Sequence, residues 1–212
     1  MKSETPITTL LFDWDGTLVD SASQGLSAFQ KTFAELGVQF DLDIYAAKYS
    51  PNWYQTYLAL GLPKEKWEQA DDLWVRHYDC ESSPLVEGAS ETILDLQRKG
   101  YRLGVVSSGN QHRVSREIGE SGFSSVFEVV ICHEDIVNRK PHPEGLEKAL
   151  LILSSQPEQS CYVGDTPEDI QMGKSAGMFT VGVRSAYPSS TRLVSEEPDV
   201  YLNALVELSN HF

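Results

Sequence analysis

From Gly88 onward, short unbroken apolar runs alternate with segments of helical periodicity. Ala89 to Lys99 reads as a helix stopped by Gly100, and Arg102 to Ser107 (RLGVVS) follows as a strand. Gln111 to Glu120 is helical again, with Gly122 just beyond it. Glu128 to Cys132 (EVVIC), Cys161 to Gly164 (CYVG) and Phe179 to Val183 (FTVGV) are further strand-like runs, separated by helical patterns over Pro143 to Ser154 and Pro167 to Ala176. Val/Ile/Leu runs without polar alternation mark strands covered on both faces, and helices between them supply the right-handed crossovers of a parallel sheet. With Thr8 to Asp13 (TTLLFD) near the start, the pattern predicts an α/β fold with a mostly parallel sheet of about five strands.

Between Asp20 and about Pro84 this rhythm stops. Ser21 and Gln24 stand at capping-box spacing, after which Ala22, Leu26, Phe29, Phe33 and Leu36 recur at helical intervals as far as Gly37. A second helix is expected within Asp43 to Tyr57 and a third from about Lys64 to His77. So long a stretch is not a plain loop, which makes it a helical insert of roughly 65 residues following the first strand. The expected division is a core of residues 1–19 and 86–212 with a helical domain of residues 20–85 inserted in it.

Composition narrows the partners. The 212 residues carry 17 Lys and Arg against 31 Asp and Glu, a formal charge of −14, with 41% hydrophobic and 23% charged positions. This is the profile of a globular chain, and without a basic run to override its sign it argues against nucleic acid. No segment approaches the roughly 20 apolar residues of a membrane span, and the start of the chain reads as mature protein, with no membrane or targeting element expected. Three dispersed cysteines, Cys80, Cys132 and Cys161, form no Cys-x-x-Cys pair, so a reducing, cytoplasmic setting without structural zinc is expected.

Four segments at or just after predicted strands hold the candidate chemistry, at the carboxyl edge where open α/β sheets bind ligands. The first is Asp13-Trp14-Asp15-Gly16-Thr17, which by itself also reads as a hairpin turn. Ser107-Ser108-Gly109-Asn110 offers hydroxyls and amides to phosphate oxygens, or simply caps the next helix. Lys140-Pro141 places a lysine on backbone biased to the extended region, although a lone loop lysine is commonly just solvated. In Gly164-Asp165-Thr166-Pro167-Glu168-Asp169, helix capping accounts for Thr166 and Pro167 but not for Asp165, a carboxylate that beside other acids calls for a cation.

In this order and placement the segments resemble the haloacid dehalogenase superfamily, specifically its phosphoglycolate-phosphatase-like members with a small helical cap. The resemblance implies a Rossmann-like three-layer core, an inserted cap, and a phosphatase acting on a small phosphorylated metabolite with Mg2+. It implies Asp13 as nucleophile forming an aspartyl phosphate, and Asp15 as the acid and then the base, fixed with help from Thr17. Ser107 and the amide of Ser108 are implied to hold the phosphoryl group, with Thr17 also at the substrate and Lys140 offsetting charge. Asp13, Asp15 through its backbone carbonyl, Asp165 and Asp169 are the implied metal set, Asp169 directly, through water, or by pairing with Lys140.

Within that family the second acid, Asp15, argues against dehalogenases and phosphonate-cleaving members. Sugar-phosphate mutases of the β-phosphoglucomutase kind carry a histidine where this chain has Gly25, so hydrolysis is expected, with mutase or a silent binding domain as the alternatives. The insert is rich in aromatics. Trp67, Trp74 and Tyr78 share one predicted helix face and are expected in its core, whereas Trp53 and Tyr54 follow a turn and are candidates for substrate contact. Trp14 should point away from its acidic neighbours into packing. Neither a monomer nor a homodimer is favoured by the sequence.

Overall fold

A computed structural model describes residues 6–78 and 83–212 of the chain, which places Cys80 outside the described residues. Six strands form one wholly parallel sheet: β1 (Thr9–Phe12), β2 (Arg102–Val106), β3 (Val129–Ile131), β4 (Ser160–Gly164), β5 (Phe179–Val183) and β6 (Val200–Leu202), in the order β3-β2-β1-β4-β5-β6. The sequence pattern predicts about five. The sixth, β6, is only three residues long and lies between Pro198-Asp199 and Asn203, too short to register as an apolar run.

Alternation along β1 divides the core into two layers of packing. Leu10 and Phe12 face helices α5 (Ala89–Arg98) and α6 (Gln111–Glu120), joined by Leu205 and Leu208 near the C-terminus. Leu11 faces the opposite way, onto α7 (Glu144–Leu153) and α8 (Pro167–Ser175). Side chains of successive strand residues point to opposite faces, so a strand buried on both sides needs apolar residues at every position. β1 is buried along its whole length.

The insert holds α1 (Ala22–Leu36), α2 (Leu42–Lys48), α3 (Trp53–Ala59) and α4 (Trp67–Tyr78). The helix expected within Asp43 to Tyr57 is two helices, because Ser50-Pro51-Asn52 interrupts it and proline biases the residue before it away from helix. The insert has its own interior, in which Phe29 stacks on Phe33 at 5.7 Å and Trp53 lies 4.2 Å from Trp74. Its two connections run side by side: the Asp20 amide donates to Pro84, the Val86 amide to Leu18, and Val19 bridges antiparallel to Leu85. The capping box expected at Ser21 is absent. The Ser21 hydroxyl instead pairs with the Tyr187 hydroxyl at 3.0 Å, a partner brought in from the far end of the chain.

Candidate active site

Strand register brings three of the four segments together, and the loop after β3 adds the fourth, Lys140. Phe12 sits beside Val105 and Val163, so Asp13, Ser107 and Asp165, one or two residues further on, emerge at one carboxyl edge. Close packing there depends on two glycines. A Cβ on Gly16, whose φ is +87°, would collide with Asp165, and one on Gly164 would collide with Asp169.

Lys140 lies between two of the acids, donating to Asp13 Oδ1 at 2.6 Å and to Asp169 Oδ1 at 2.7 Å, with all three side chains buried. Asp169 is held on every side, since its Oδ1 also accepts from the Tyr162 hydroxyl at 3.2 Å and its Oδ2 from the amide and hydroxyl of Thr166 at 3.0 and 2.6 Å. Asp165 is fully buried and accepts from Thr17 at 3.3 Å and Ser185 at 2.6 Å. Burial pushes the Asp13 carboxyl up against the pull of Lys140, and burial beside Asp13 and Asp169 raises Asp165 well above the carboxylate range. Burial opposes the charge on Lys140 too, but its two acid partners hold it protonated.

Oxygens of Asp13, Asp165 and Asp169 lie within 4.8 Å of one another. With all three acids ionised, one ammonium would leave an excess of two negative charges in a buried space. Burial and this repulsion raise Asp13 and Asp165, a cation would relieve the repulsion, and every donor is a hard oxygen. The residues therefore fit a divalent cation of the magnesium kind.

Asp15 turns elsewhere. Both its oxygens are taken by the Arg113 guanidinium, Oδ1 from Nη1 at 3.1 Å and Oδ2 from Nη2 at 2.6 Å, and the Tyr78 hydroxyl donates to Oδ1 at 3.2 Å. Burial works to raise the Asp15 pKa, and the charge and hydrogen bonds of Arg113 outweigh it, so the carboxyl is held below its ordinary value. Thr17, expected to help fix Asp15, lies against Asp165 instead, because the turn at Gly16 reverses the chain between them. Ser107 is buried with its hydroxyl accepting the Gly109 amide at 2.9 Å, which shapes the turn, while Ser108 lines the cleft beside Asp13, Asp15 and Lys140. Trp14 points away as expected, fully buried, its Nε1 donating to Glu117 at 2.7 Å.

The insert lies over this edge. Ser50 donates to Glu168 at 3.0 Å, Tyr49 stacks on Tyr187 at 5.1 Å, and Arg139 sits over the Tyr54 ring at 4.3 Å. The cleft beneath it is a cavity of about 40 Å3, roofed by Phe29, Tyr49, Trp53 and Trp74. Since one water needs roughly 10–15 Å3, the cleft has room for a few waters. Trp53 thus lines the cleft and packs in the cap at once, whereas Tyr54 is turned to Arg139 and Asp71.

Arg113, Tyr78, Ser185 and Tyr187 belong to this site and escape the sequence reading. Ser185 and Tyr187 follow the β5 run as the other candidates follow theirs, so the strand-end rule applied to every strand finds them. Tyr78 reads as cap core and is that too, in contact with Trp74 at 4.5 Å. Arg113 and Glu117 look like an ordinary exposed i,i+4 pair, and only the fold buries them.

A family model described as haloacid dehalogenase-like hydrolase matches residues 10–183. Pyrophosphatase PpaX of Bacillus pumilus is 30% identical over 213 residues, covering 97% of this chain and 96% of the relative. Among solved structures, a haloacid dehalogenase-like family hydrolase from Streptococcus pneumoniae superposes with a TM-score of 0.84 at 23% identity, over 97% of this chain and 98% of that one. A predicted phosphoglycolate phosphatase from Haemophilus somnus does so with a TM-score of 0.85 at 20% identity, over 99% of both chains.

Proposed function

The chain belongs to the haloacid dehalogenase-like hydrolases and is a phosphatase, and we propose that it hydrolyses a small phosphomonoester in two steps through an aspartyl phosphate, with magnesium as its cation. The observation that carries this reading is the buried Asp13, set by Lys140 at 2.6 Å beside Asp165 and Asp169. An Asp13 carboxylate oxygen attacks phosphorus in line, and the bond to the leaving oxygen breaks as that oxygen takes a proton from Asp15. Arg113 holds Asp15 ionised before substrate arrives, so this acid must first pick up that proton as the substrate binds. Asp15 then takes a proton from a water attacking the phosphoaspartate, which releases inorganic phosphate and restores the Asp13 carboxylate. Lys140 offsets charge on Asp13 and the phosphoryl oxygens, and Asp169 holds Lys140 in place, while Ser107, which also shapes the turn, and the amide of Ser108 hold the transferring phosphoryl group. Thr17 and Ser185 orient Asp165. Magnesium held by Asp13, the Asp15 carbonyl, Asp165 and, directly or through water, Asp169 would supply charge neutralisation for the transferring group.

The same geometry favours hydrolysis over mutase chemistry. A Cβ on Gly25 would stand 3.2 Å from the Tyr187 hydroxyl, so the space a histidine would need at position 25 is occupied by that ring. The small cleft supports a compact phosphomonoester such as phosphoglycolate or a sugar phosphate, and the charge of −14 speaks against nucleic acid. Buried, unpaired Cys132 and Cys161 support a reducing compartment, the cytoplasm. The proposed division of the chain is a core of residues 1–19 and 86–212 with a cap of residues 20–85. Among the described residues, no helix is long and apolar enough to cross a membrane. The test is turnover of a panel of phosphorylated metabolites with magnesium and with excess chelator. We expect release of phosphate that chelator abolishes; undiminished hydrolysis in chelator overturns the metal assignment.

A further inference from the structure

Asp15 is the one acid of the proposed pair that makes no contact with Lys140, and its position is set by a ladder of side chains that the strand-end motifs do not include. Arg113, 1% exposed, forks onto both oxygens of Asp15 and donates from Nη1 to Glu117 Oε2 at 2.9 Å. Glu117 Oε2 also accepts from the indole of Trp14, the residue between the two acids, so the ladder returns to the loop from which it started. From the cap side, the Tyr78 ring lies against the guanidinium at 4.7 Å while its hydroxyl reaches Asp15 Oδ1.

We infer that Arg113 is a positioning residue for Asp15, backed by Glu117 and joined by Tyr78 from the cap, fixing Oδ2 and leaving Oδ1 the more loosely held oxygen. This rests on the acid/base role proposed for Asp15. The two oxygens are not held alike. Oδ2 is anchored by Nη2 at 2.6 Å, whereas Oδ1 receives two longer bonds, from Nη1 at 3.1 Å and Tyr78 at 3.2 Å. Nη1 already has Glu117 as its closer partner, so it can give up Oδ1 without leaving its charge unpaired in a buried site. A planar fork fixes the carboxylate plane as a single ammonium cannot, which is why a lysine here would keep the charge and lose the aim. Tyr78 sits at the end of α4, so its bond to Oδ1 forms part of the cap's contact with the core and changes when the cap lifts.

The experiment is a double-mutant cycle in the full chain with magnesium, using glycerol phosphate, whose alkoxide leaves poorly, and p-nitrophenyl phosphate, whose phenolate leaves easily. Arg113→Met is expected to lower kcat on glycerol phosphate by about 100-fold with KM within about threefold, and to lower it less on the aryl ester. Arg113→Lys should lose about tenfold and Tyr78→Phe about threefold, in the same direction. In an Asp15→Asn background Arg113→Met should cost less than about threefold further, because the group it aims is gone. Losses that multiply, or a rise in KM with kcat unchanged, overturn the inference and make Arg113 a structural or substrate-binding residue. If Arg113→Met does not fold, the cycle is run with Arg113→Lys on the same criteria. Asp15→Asn alone separates the two claims: if it leaves glycerol phosphate turnover intact, the acid/base role itself is wrong.

Discussion

Asp13, Lys140 and Asp169 are as deeply buried as Phe29, Tyr57 and Trp74 in the cap, each at most 5% exposed. In the core site every contact is a directed one: Asp169 accepts from four donor atoms and Lys140 reaches two acids. In the cap interior, apart from hydroxyl bonds such as Tyr57 to Asp71, the contacts are ring on ring, with Phe29 lying near Phe33, Phe40, Tyr45, Tyr49 and Trp74 at 5.7 to 6.2 Å. Buried charges tolerate almost no change of donor or acceptor, whereas apolar contacts are non-directional and survive exchange of one ring for another at modest cost. The chemistry is consequently confined to a few positions of the core, and what most of the cap must keep, Tyr78 excepted, is volume rather than identity.

The sharpest way to break this contrast is Asp13→Asn. It should lower kcat by on the order of 10^4-fold or more while the fold persists, since Lys140 keeps Asp169 and the amide keeps the shape. Rapid-quench trapping of a phosphoenzyme checks it, and near-normal turnover would sink the covalent route. Next in size is Trp53→Ala, which opens a hole beside Trp74 and removes part of the cleft roof. About 3–5 kcal/mol of cap stability should be lost. The ranking of substrates should change with it while chelator sensitivity stays, a result read by thermal melts and the metabolite panel together. Trp53→Phe, which keeps a ring, should lose much less of both.

The smallest effect tests how the core loop bearing Lys140 is held. Glu144, half-buried, accepts the amides of Asn138 at 2.8 Å and Val137 at 3.0 Å, bonds that pull its carboxyl down to about 2. A folded pKa below the unfolded one means the contribution is whole above the ordinary value near 4.5 and fades as pH falls toward about 2. Glu144→Gln should therefore lower Tm by a degree or two at about pH 7, with the gap narrowing from about pH 5 and closing toward about pH 2.

Most of the core can be read in the chain because its signals are local. Apolar runs mark β1 to β5, and Asp13, Asp15 and Asp165 stand within a few residues of those runs, so strand register gathers them; Lys140, nine residues beyond β3, is legible only by its Lys-Pro pair. β6 fails that criterion by being three residues long. Arg113 fails it differently: an Arg and a Glu one helical turn apart look the same whether solvent or Asp15 faces them, and only the packing of α6 against the Trp14 loop decides. Ser21 carries a capping signature that a distant tyrosine overrides. In the cap, aromatic periodicity finds helices but not which rings face the cleft, and Trp53 does both tasks.

Tyr187 belongs to the core by chain position and to the cap by company. It enters the cap interior after β5, stacks on Tyr49, and meets Ser21, a residue 166 positions earlier. Exchange of caps between relatives by cutting at Asp20 and Pro84 would thus transplant an incomplete object. The incoming helices would meet a phenol they had not been shaped around, and the departing ones would travel without the ring that fills their centre. The unit that must move together is the insert plus one distant tyrosine, so a chimaera that carries position 187 along with residues 20–85 should fold and close where the plain cut-and-paste version leaves a gap.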